Sequence, residues 1–134
     1  MREHKFRGYA KEIKLLCDVS FVDFELKIVR LDVGKLKDTE WCYQDEYNFD
    51  DIELLEYTGL KDKRGVEIFV GDIVRQKYPH QDKAGDVIQH KTIRFLDELG
   101  CFGAVYKDDF NWTGMEEHKE FTIIGNIYQN GDLL

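Results

Sequence analysis

One stretch, residues 55–74, constrains the fold more than any other part of the chain. It holds two turn signals, Lys63-Arg64-Gly65 and Val70-Gly71-Asp72, next to short runs of alternating apolar and polar residues. A glycine permits a positive φ angle, and an aspartate can hydrogen-bond the backbone of its own turn. The stretch therefore predicts short strands joined by tight turns, with Asp72 as a turn residue rather than a general acid or base.

The sequence after Gly65 predicts a succession of short strands. Polar loops or glycine turns separate the predicted strands, which are Val66–Phe69, Ile73–Tyr78, the well-alternating run Val87–Leu96, Cys101–Tyr106 and Glu120–Tyr128. Short strands at this spacing, without intervening helices, are typical of small barrels and sandwiches. Because a Gly-Asp pair opens strands in many SH3-like barrels, we expect a mostly β protein with a small SH3-like or related β-barrel in its C-terminal half.

The N-terminal part of the chain predicts a β-rich extension followed by an acidic loop. Residues 4–10 alternate basic and aromatic side chains, and an alternating run from Phe24 to Val33 predicts a longer strand. Residues 35–51 place aromatic side chains among acids without a clear period. We expect an irregular loop there. It is either a lid that faces a partner or, the favoured interpretation, a loop pinned to the core by its aromatic residues.

A chain of 134 residues fits a single domain that buries a core without metals or crosslinks. We expect one domain over residues 1–134, with the N-terminal strands and acidic loop in 1–56 and the barrel-like core in 57–134. At the junction, Asp50-Asp51 predicts either the cap of a short helical turn over residues 52–56 or the start of a strand.

The net charge of −8 is unevenly distributed. Residues 38–56 hold eight acids and no base, whereas residues 57–94 hold eight bases and five acids. A negative overall field repels phosphate backbones, so it disfavours nucleic acid as a partner except at a local basic patch. Such a patch would use Lys61, Lys63, Arg64, Arg75, Lys77 and Lys91.

The cysteines and the hydropathy pattern indicate a cytoplasmic protein. Cys17, Cys42 and Cys101 are far apart and odd in number, which favours free thiols that act as small buried apolar residues. The chain has no apolar run of about 18 residues and no signal-peptide core after its charged N-terminus. We therefore expect no membrane partner.

No pattern of catalytic or metal-binding residues is visible. The four histidines have no ligand spacing with each other or with the cysteines, so we expect no metal and no cofactor. Residues 58–65 are bounded by glycine but lack the ending of a P-loop. The acid pairs Asp108-Asp109 and Glu116-Glu117 fit no calcium loop and indicate solvated charge. We expect a protein that is not an enzyme.

Candidate binding residues lie in the acidic aromatic segment and around the basic turn at residues 61–64. The three bases of that turn would offer a positive face to an acidic partner. The candidates are Trp41, Tyr43, Tyr57, Lys61, Lys63 and Arg64.

Three longer motifs are more specific than any single residue. They are Tyr57-Thr-Gly-Leu-Lys-Asp-Lys-Arg-Gly65, Glu67-Ile-Phe-Val-Gly-Asp-Ile-Val74 and Ile124-Gly-Asn-Ile-Tyr-Gln-Asn130. Together with the opening Lys5-Phe-Arg7, they resemble the YopX family of phage and prophage proteins. Arg64 stands where that family usually has asparagine, and Gly131 where proline is common. Both are turn positions, so the fold expectation is unaffected.

The resemblance implies a β-rich, barrel-like fold after the central motif, a phage-encoded protein in the host cytoplasm, and no defined catalytic residues. It also implies that the matched positions are fold determinants, namely Thr58, Gly59, Asp62, Gly65, Gly71, Asp72, Gly125 and Asn126. We therefore expect a non-enzymatic protein-binding or assembly module that acts on an unknown protein partner or as a homo-oligomer. A nucleic-acid-binding SH3-like barrel is the alternative.

Overall fold

The computed structural model describes residues 5–35, 42–79, 85–107 and 112–134. These residues form eleven β-strands and three short 3₁₀ helices, and the strands make two antiparallel sheets. The prediction of a mostly β protein is confirmed. The chain divides into two compact units, His4–Glu56 and Tyr57–Leu134. That the two form a single domain stays a prediction.

The N-terminal unit is an antiparallel sheet with an apolar core, in which the first four strands form a meander and the fifth pairs with the first. Its core residues are Ala10, Cys17, Val29, Leu31 and Ile52. A short 3₁₀ helix, Phe49–Asp51, precedes the last strand, so residues 52–56 follow the strand alternative rather than the helical one. In spatial order the strands are β4 (Cys42–Asn48), β3 (Ile28–Lys35), β2 (Leu15–Asp23), β1 (Phe6–Ala10) and the first half of β5 (Ile52–Lys61).

The predicted strand from Phe24 is wrong at its start, because residues 24–27 form the turn between β2 and β3. The Asp23 carboxylate accepts the N–H groups of Glu25 and Leu26, both at 2.9 Å. Lys27 closes the turn with a φ of 56°. The apolar residues Phe24 and Leu26 are exposed here, so their alternation does not mark a buried strand face.

The prediction of an irregular acidic loop is also wrong for residues 42–48. This segment is strand β4, which pairs with β3 from Ile28↔Asn48 to Lys35↔Cys42. Of its side chains at 43–48, Tyr47 is the one that packs against the core. The other five are exposed, as is common for charged residues on an edge strand. Because only one of these side chains faces the core, the sequence of β4 does not alternate between apolar and polar residues.

The C-terminal unit contains the five-stranded sheet. Its core residues are Ile68, Val74, Ile93, Phe102, Ala104, Met115 and Phe121. A 3₁₀ helix at Met115–Glu120 precedes the last strand, and another lies at Gly131–Leu133. Strand β6 (Glu67–Phe69) pairs with the second half of β5. The sheet order is β10 (Trp112–Gly114), β9 (Cys101–Val105), β8 (Asp86–Leu96), β7 (Asp72–Pro79) and β11 (Thr122–Asn126).

Strands β10 and β11 lie at the two edges of this sheet, so the described strands do not close into a barrel. The SH3-like barrel is therefore not confirmed. None of the helices in the described ranges is long and apolar enough to cross a membrane.

Candidate functional site

Asp62 organises the basic turn at residues 61–64. Its buried carboxylate accepts the N–H groups of Arg64 and Val66 at 2.9 Å and that of Ile123 at 3.0 Å. Burial alone would raise the pKa of this carboxyl. The hydrogen bonds from the backbone of Ile123, Val66 and Arg64, together with the charge of Arg64, outweigh that effect and lower the pKa. Asp62 is thus a charged anchor that fixes the turn against β11.

Gly71 and Asp72 connect β6 to β7. The Asp72 carboxylate accepts the Phe69 N–H at 2.8 Å. Gly71 has a φ of 93°, which favours glycine. Its N–H donates to the Ile93 carbonyl at 2.9 Å, and its carbonyl accepts the Ile127 N–H at 2.9 Å. This turn therefore joins three segments of the unit through backbone hydrogen bonds.

The remaining motif residues hold other backbone segments. Thr58 donates its hydroxyl to the Ile68 carbonyl at 2.8 Å. Gly59 and Gly65 have φ angles of 86° and 82°, and Gly59 lies where the pairing of β5 with β6 shifts register.

Asn126 closes the turn after β11. Its side-chain oxygen accepts the N–H groups of Tyr128 and Gln129 at 3.1 and 3.0 Å. The Asn130 side chain in turn accepts the Asn126 N–H at 3.1 Å. A Cβ at Gly125 would lie 2.5 Å from that Asn130 oxygen, so the position needs glycine. The side chains of Thr58, Asp62, Asp72 and Asn126 thus all hydrogen-bond backbone groups in or next to turns.

Lys91 is a buried lysine, only 2% exposed. Its ammonium donates to Gln76 Oε1 at 2.8 Å and to the hydroxyls of Tyr78 and Thr113. These three acceptors use all three ammonium protons. The prediction that Lys91 belongs to a surface patch is wrong, because it shares the buried face of β8 with Ile93.

The other predicted binding residues lie in several places. Tyr43 is exposed on β4 of the N-terminal unit, and Trp41 is outside the described residues. Tyr57 is buried with its ring centroid 5.3 Å from that of Phe69. Lys61, Lys63 and Arg64 are together at the exposed basic turn, where the Arg64 guanidinium donates to the Ile123 carbonyl at 2.7 Å.

An open hydrophobic groove of about 660 Å³, which we call the aromatic groove, lies beside β10. Phe95 and Trp112 are 42% and 45% exposed in it, whereas Phe102 and Met115 belong to the core. Phe95 packs edge-to-face on Phe102 at 5.2 Å between centroids. The sequence did not identify this site, since its lining comes from β5, β8, β9, β10 and a 3₁₀ helix. The lining residues are Leu60, Phe95, Gly100, Cys101, Phe102, Trp112, Gly114, Met115, Glu116 and His118.

A second, smaller site of about 280 Å³ carries positive charge. We call it the basic cleft and define it by four exposed cations: Lys63, Arg75, Lys77 and Lys119. Glu120 and Thr122 complete its lining. Three of its cations were in the predicted basic patch, but Lys119 was not, because it is isolated among acids in the sequence.

Cys17 and Cys101 differ in burial, and the side chain of Cys42 lies outside the described part of the structure. Cys17 is buried, and burial, followed by the charges of Asp18 and Asp32, raises the pKa of its thiol. Cys101 is exposed in the aromatic groove, contrary to the expectation of a buried thiol. Among the described residues, no three His, Cys, Asp or Glu side chains are grouped to hold a metal ion.

The sequence model of the YopX protein family matches residues 5–134. The crystal structure of protein EF1440 from Enterococcus faecalis resembles this chain with a TM-score of 0.66 and 24% sequence identity. The likeness covers 100% of this chain and 99% of that one, and at this identity it concerns the fold alone. No curated protein matches the chain.

Proposed function

The chain belongs to the YopX protein family, and we propose that it is a non-enzymatic module that binds another protein at the aromatic groove. The observation that carries this proposal is the exposure of Phe95 and Trp112 above a floor of core residues. Aromatic side chains around a pocket that excludes water dominate the energetics of most protein interfaces. An apolar side chain inserted here would contact Phe102 and Met115.

The strand beside the groove suggests how the partner binds. Strand β10 pairs with β9 along one side, and in the described part of the chain its other side has no neighbouring strand. An extended segment can add to such an edge through backbone hydrogen bonds and direct alternate side chains to one face. We infer that the partner contributes an extended segment with apolar residues at every second position.

The buried ionisable groups support a role without catalysis. The ammonium of Lys91 is satisfied by Gln76, Tyr78 and Thr113, and Asp62 accepts three backbone N–H groups. A general acid or base must reach the substrate and exchange a proton with it. Groups committed to structural hydrogen bonds are poorly suited to that task.

The setting of this function is part of the proposal. Family membership supports a phage-encoded or prophage-encoded protein that acts in the cytoplasm of the host bacterium. We also propose that the C-terminal unit is an opened relative of SH3-like barrels, some of which bind peptides or nucleic acids. Self-association through the same groove would make the protein a homo-oligomer.

Affinity purification of the tagged chain from host lysate, followed by mass spectrometry, tests the proposal. The Trp112→Ala and Phe95→Ala variants should fail to retain a protein that the wild type retains. Loss of a central aromatic side chain weakens an interface by about 2 kcal/mol, or roughly 30-fold in Kd. The matched control is Phe21→Ala in the N-terminal unit, because Phe21 is also 42% exposed.

Light scattering of the purified chain addresses self-association. A mass above that of the monomer that falls in Trp112→Ala would identify the partner as a second copy. A monomer that retains no protein, or a set of retained proteins unaffected by both groove substitutions, would refute binding at the aromatic groove.

A further inference from the structure

We propose that the basic cleft is a second site, distinct from the aromatic groove, which binds the phosphate backbone of a nucleic acid. It is built from Lys63, Arg75, Lys77 and Lys119, and all four side chains are exposed. Within the described ranges, none of the four forms an ion pair with a carboxylate. In a chain of net charge −8, this is a local concentration of positive charge, with four cations and one carboxylate, Glu120, in the described lining.

The cleft is held on a fixed scaffold. Arg75 and Lys77 project from the same face of β7, about 7 Å apart along the strand, and Arg75 pairs with Thr122 of β11. The backbone N–H of Lys63 donates to the Phe121 carbonyl at 2.8 Å, and Asp62 fixes the same turn to Ile123. The cations are therefore brought together by folding rather than by sequence proximity.

The composition of the cleft favours nucleic acid over an acidic protein. Among the residues that the structure describes, its lining consists of the four cations, Glu120 and Thr122, with no apolar or aromatic side chain. Protein interfaces depend on buried apolar and aromatic anchors, which the aromatic groove has and this cleft lacks. Phosphate contacts need only Lys, Arg and hydroxyl or backbone donors, and Arg75 can bind a phosphate through two N–H groups.

The same composition predicts what kind of binding occurs. Without an aromatic side chain in the cleft, bases have no stacking platform there, so recognition is independent of sequence. Single-stranded and double-stranded nucleic acids should both bind. The single acid of the cleft, Glu120, opposes phosphate binding, and its carboxylate accepts a hydrogen bond from Gln76 Nε2 at 3.1 Å.

Fluorescence anisotropy of labelled oligothymidylate at increasing salt measures the number of phosphate contacts. Four contacts to a single strand predict that the affinity falls about 50-fold between about 50 mM and 200 mM salt. The Lys77→Gln, Lys119→Gln double variant should retain two contacts and fall only about sevenfold over the same interval. Glu120→Gln should bind more tightly than the wild type, since it removes a negative charge and keeps an acceptor for Gln76.

A matched double variant separates the cleft from net charge. The Lys14→Gln, Lys27→Gln double variant also removes two positive charges, but from exposed turns of the N-terminal unit. It should bind like the wild type. An equal loss in both double variants, or no binding at low salt, would overturn the proposal. Displacement of the oligonucleotide by polyglutamate at an equal concentration of charges would assign the cleft to an acidic protein instead. A loss confined to the cleft variant, with no displacement by polyglutamate, is the expected result.

Discussion

Among the described residues, those buried as a whole in the N-terminal unit are apolar or cysteine, whereas the C-terminal unit also buries whole polar and charged residues. The N-terminal core includes Ala10, Cys17, Val29, Leu31 and Ile52, which form one cluster. All the buried polar residues among those described belong to the C-terminal unit, namely Thr58, Asp62, Asp72, Gln76, Lys91 and Asn126. Both units are built from antiparallel strands, but they differ in the type of side chain that they bury.

The two types of buried side chain differ in how strictly they fix the backbone around them. Apolar contacts are non-directional, and cores of the correct volume tolerate many substitutions. A buried carboxylate or amide must instead meet its hydrogen-bond partners with correct geometry, because an unsatisfied buried group is destabilising. In the C-terminal unit those groups fix the turns that position both the basic cleft and the neighbouring strands. We therefore expect the N-terminal unit to be most sensitive to volume and the C-terminal unit to lost hydrogen bonds.

Asp62→Ala should have the largest effect, lowering the free energy of unfolding by about 3–4 kcal/mol. It removes the acceptor of three backbone N–H groups, those of Arg64, Val66 and Ile123. Hydrogen bonds to charged groups contribute about 1.5–3 kcal/mol each, and partial hydration of the freed N–H groups reduces the sum. Urea unfolding monitored by circular dichroism measures the change.

Asp132→Ala provides the control for Asp62→Ala, because Asp132 is exposed in the same unit and its loss should change stability by less than about 0.5 kcal/mol. Similar values for the two variants would contradict the anchoring role of Asp62. Hydrogen exchange on the Asp62→Ala protein also tests the predicted single domain. Equal loss of protection in β1–β3 and β7–β9 is expected for one cooperative domain, and loss confined to β7–β9 would show independent units.

Gly8→Ala should destabilise the chain by about 1–2 kcal/mol through packing in the N-terminal unit. A Cβ at Gly8 would lie 2.6 Å from Leu31 Cδ2, and Leu31 is fully buried in the core. Extra methyl groups in a well-packed core typically cost about 1–3 kcal/mol, and the mobile end of Leu31 relieves part of this. Urea unfolding is again the measurement.

Gly131→Ala is the matched control for Gly8→Ala, since no atom lies within 4 Å of a Cβ there and its φ is not positive. It should leave stability unchanged or raise it slightly through a less flexible unfolded chain. Should Gly8→Ala behave in the same way, volume would not be the limiting factor in the N-terminal core.

Local patterns were sufficient for most of the strands. The runs that became β6, β7, β8, β9 and β11 are bounded by glycine turns or polar loops, and β8 also alternates, so these local patterns predicted them. Apolar alternation at Phe24 and Leu26 does not mark a strand, because Asp23 caps a turn there and both apolar side chains are exposed. Strand β4 has no such alternation, because its described side chains are mostly exposed on an edge strand.

The candidate sites depend on tertiary structure and could be predicted only in part. The basic turn was visible as a cluster of neighbouring bases, but Lys119 joins the basic cleft from a segment 56 positions after Lys63. Lys91 looked like a surface base because sequence does not show that Gln76, Tyr78 and Thr113 supply its acceptors. The aromatic groove combines residues of five elements, and no single segment carries its signal.

Acid should weaken the C-terminal unit through Asp62. Its folded pKa lies below the unfolded value of about 3.9, so the stabilisation it gives is complete above that value and is lost as pH falls through the folded pKa. Unfolding free energies between about pH 6 and pH 3 should therefore decrease less steeply in Asp62→Asn than in the wild type. An unchanged slope would show that other carboxylates cause the acid sensitivity.

Alkaline conditions should weaken the N-terminal unit by a smaller amount through Cys17. Burial, with Asp18 and Asp32 nearby, raises the pKa of its thiol above the unfolded value of about 8.5. The unfolded chain then ionises first, so the stabilisation is complete below about pH 8.5 and is lost as pH rises towards the folded pKa.

The test of Cys17 compares unfolding free energies at about pH 7 and pH 9.5 in the wild type, Cys17→Ala and Cys101→Ala. Cys101 is exposed, so its variant should keep the alkaline decrease of the wild type, whereas Cys17→Ala should lose part of it. Tyr47 also has a pKa raised by burial and by Asp45, which leaves a residual decrease at the highest pH. Asp62 acts in acid and Cys17 in alkali. If hydrogen-exchange protection is lost in acid only in β7–β9 and in alkali only in β1–β3, the two units unfold independently. A common limit at either end would instead mean that one unit's ionisable group sets the stability of the whole chain.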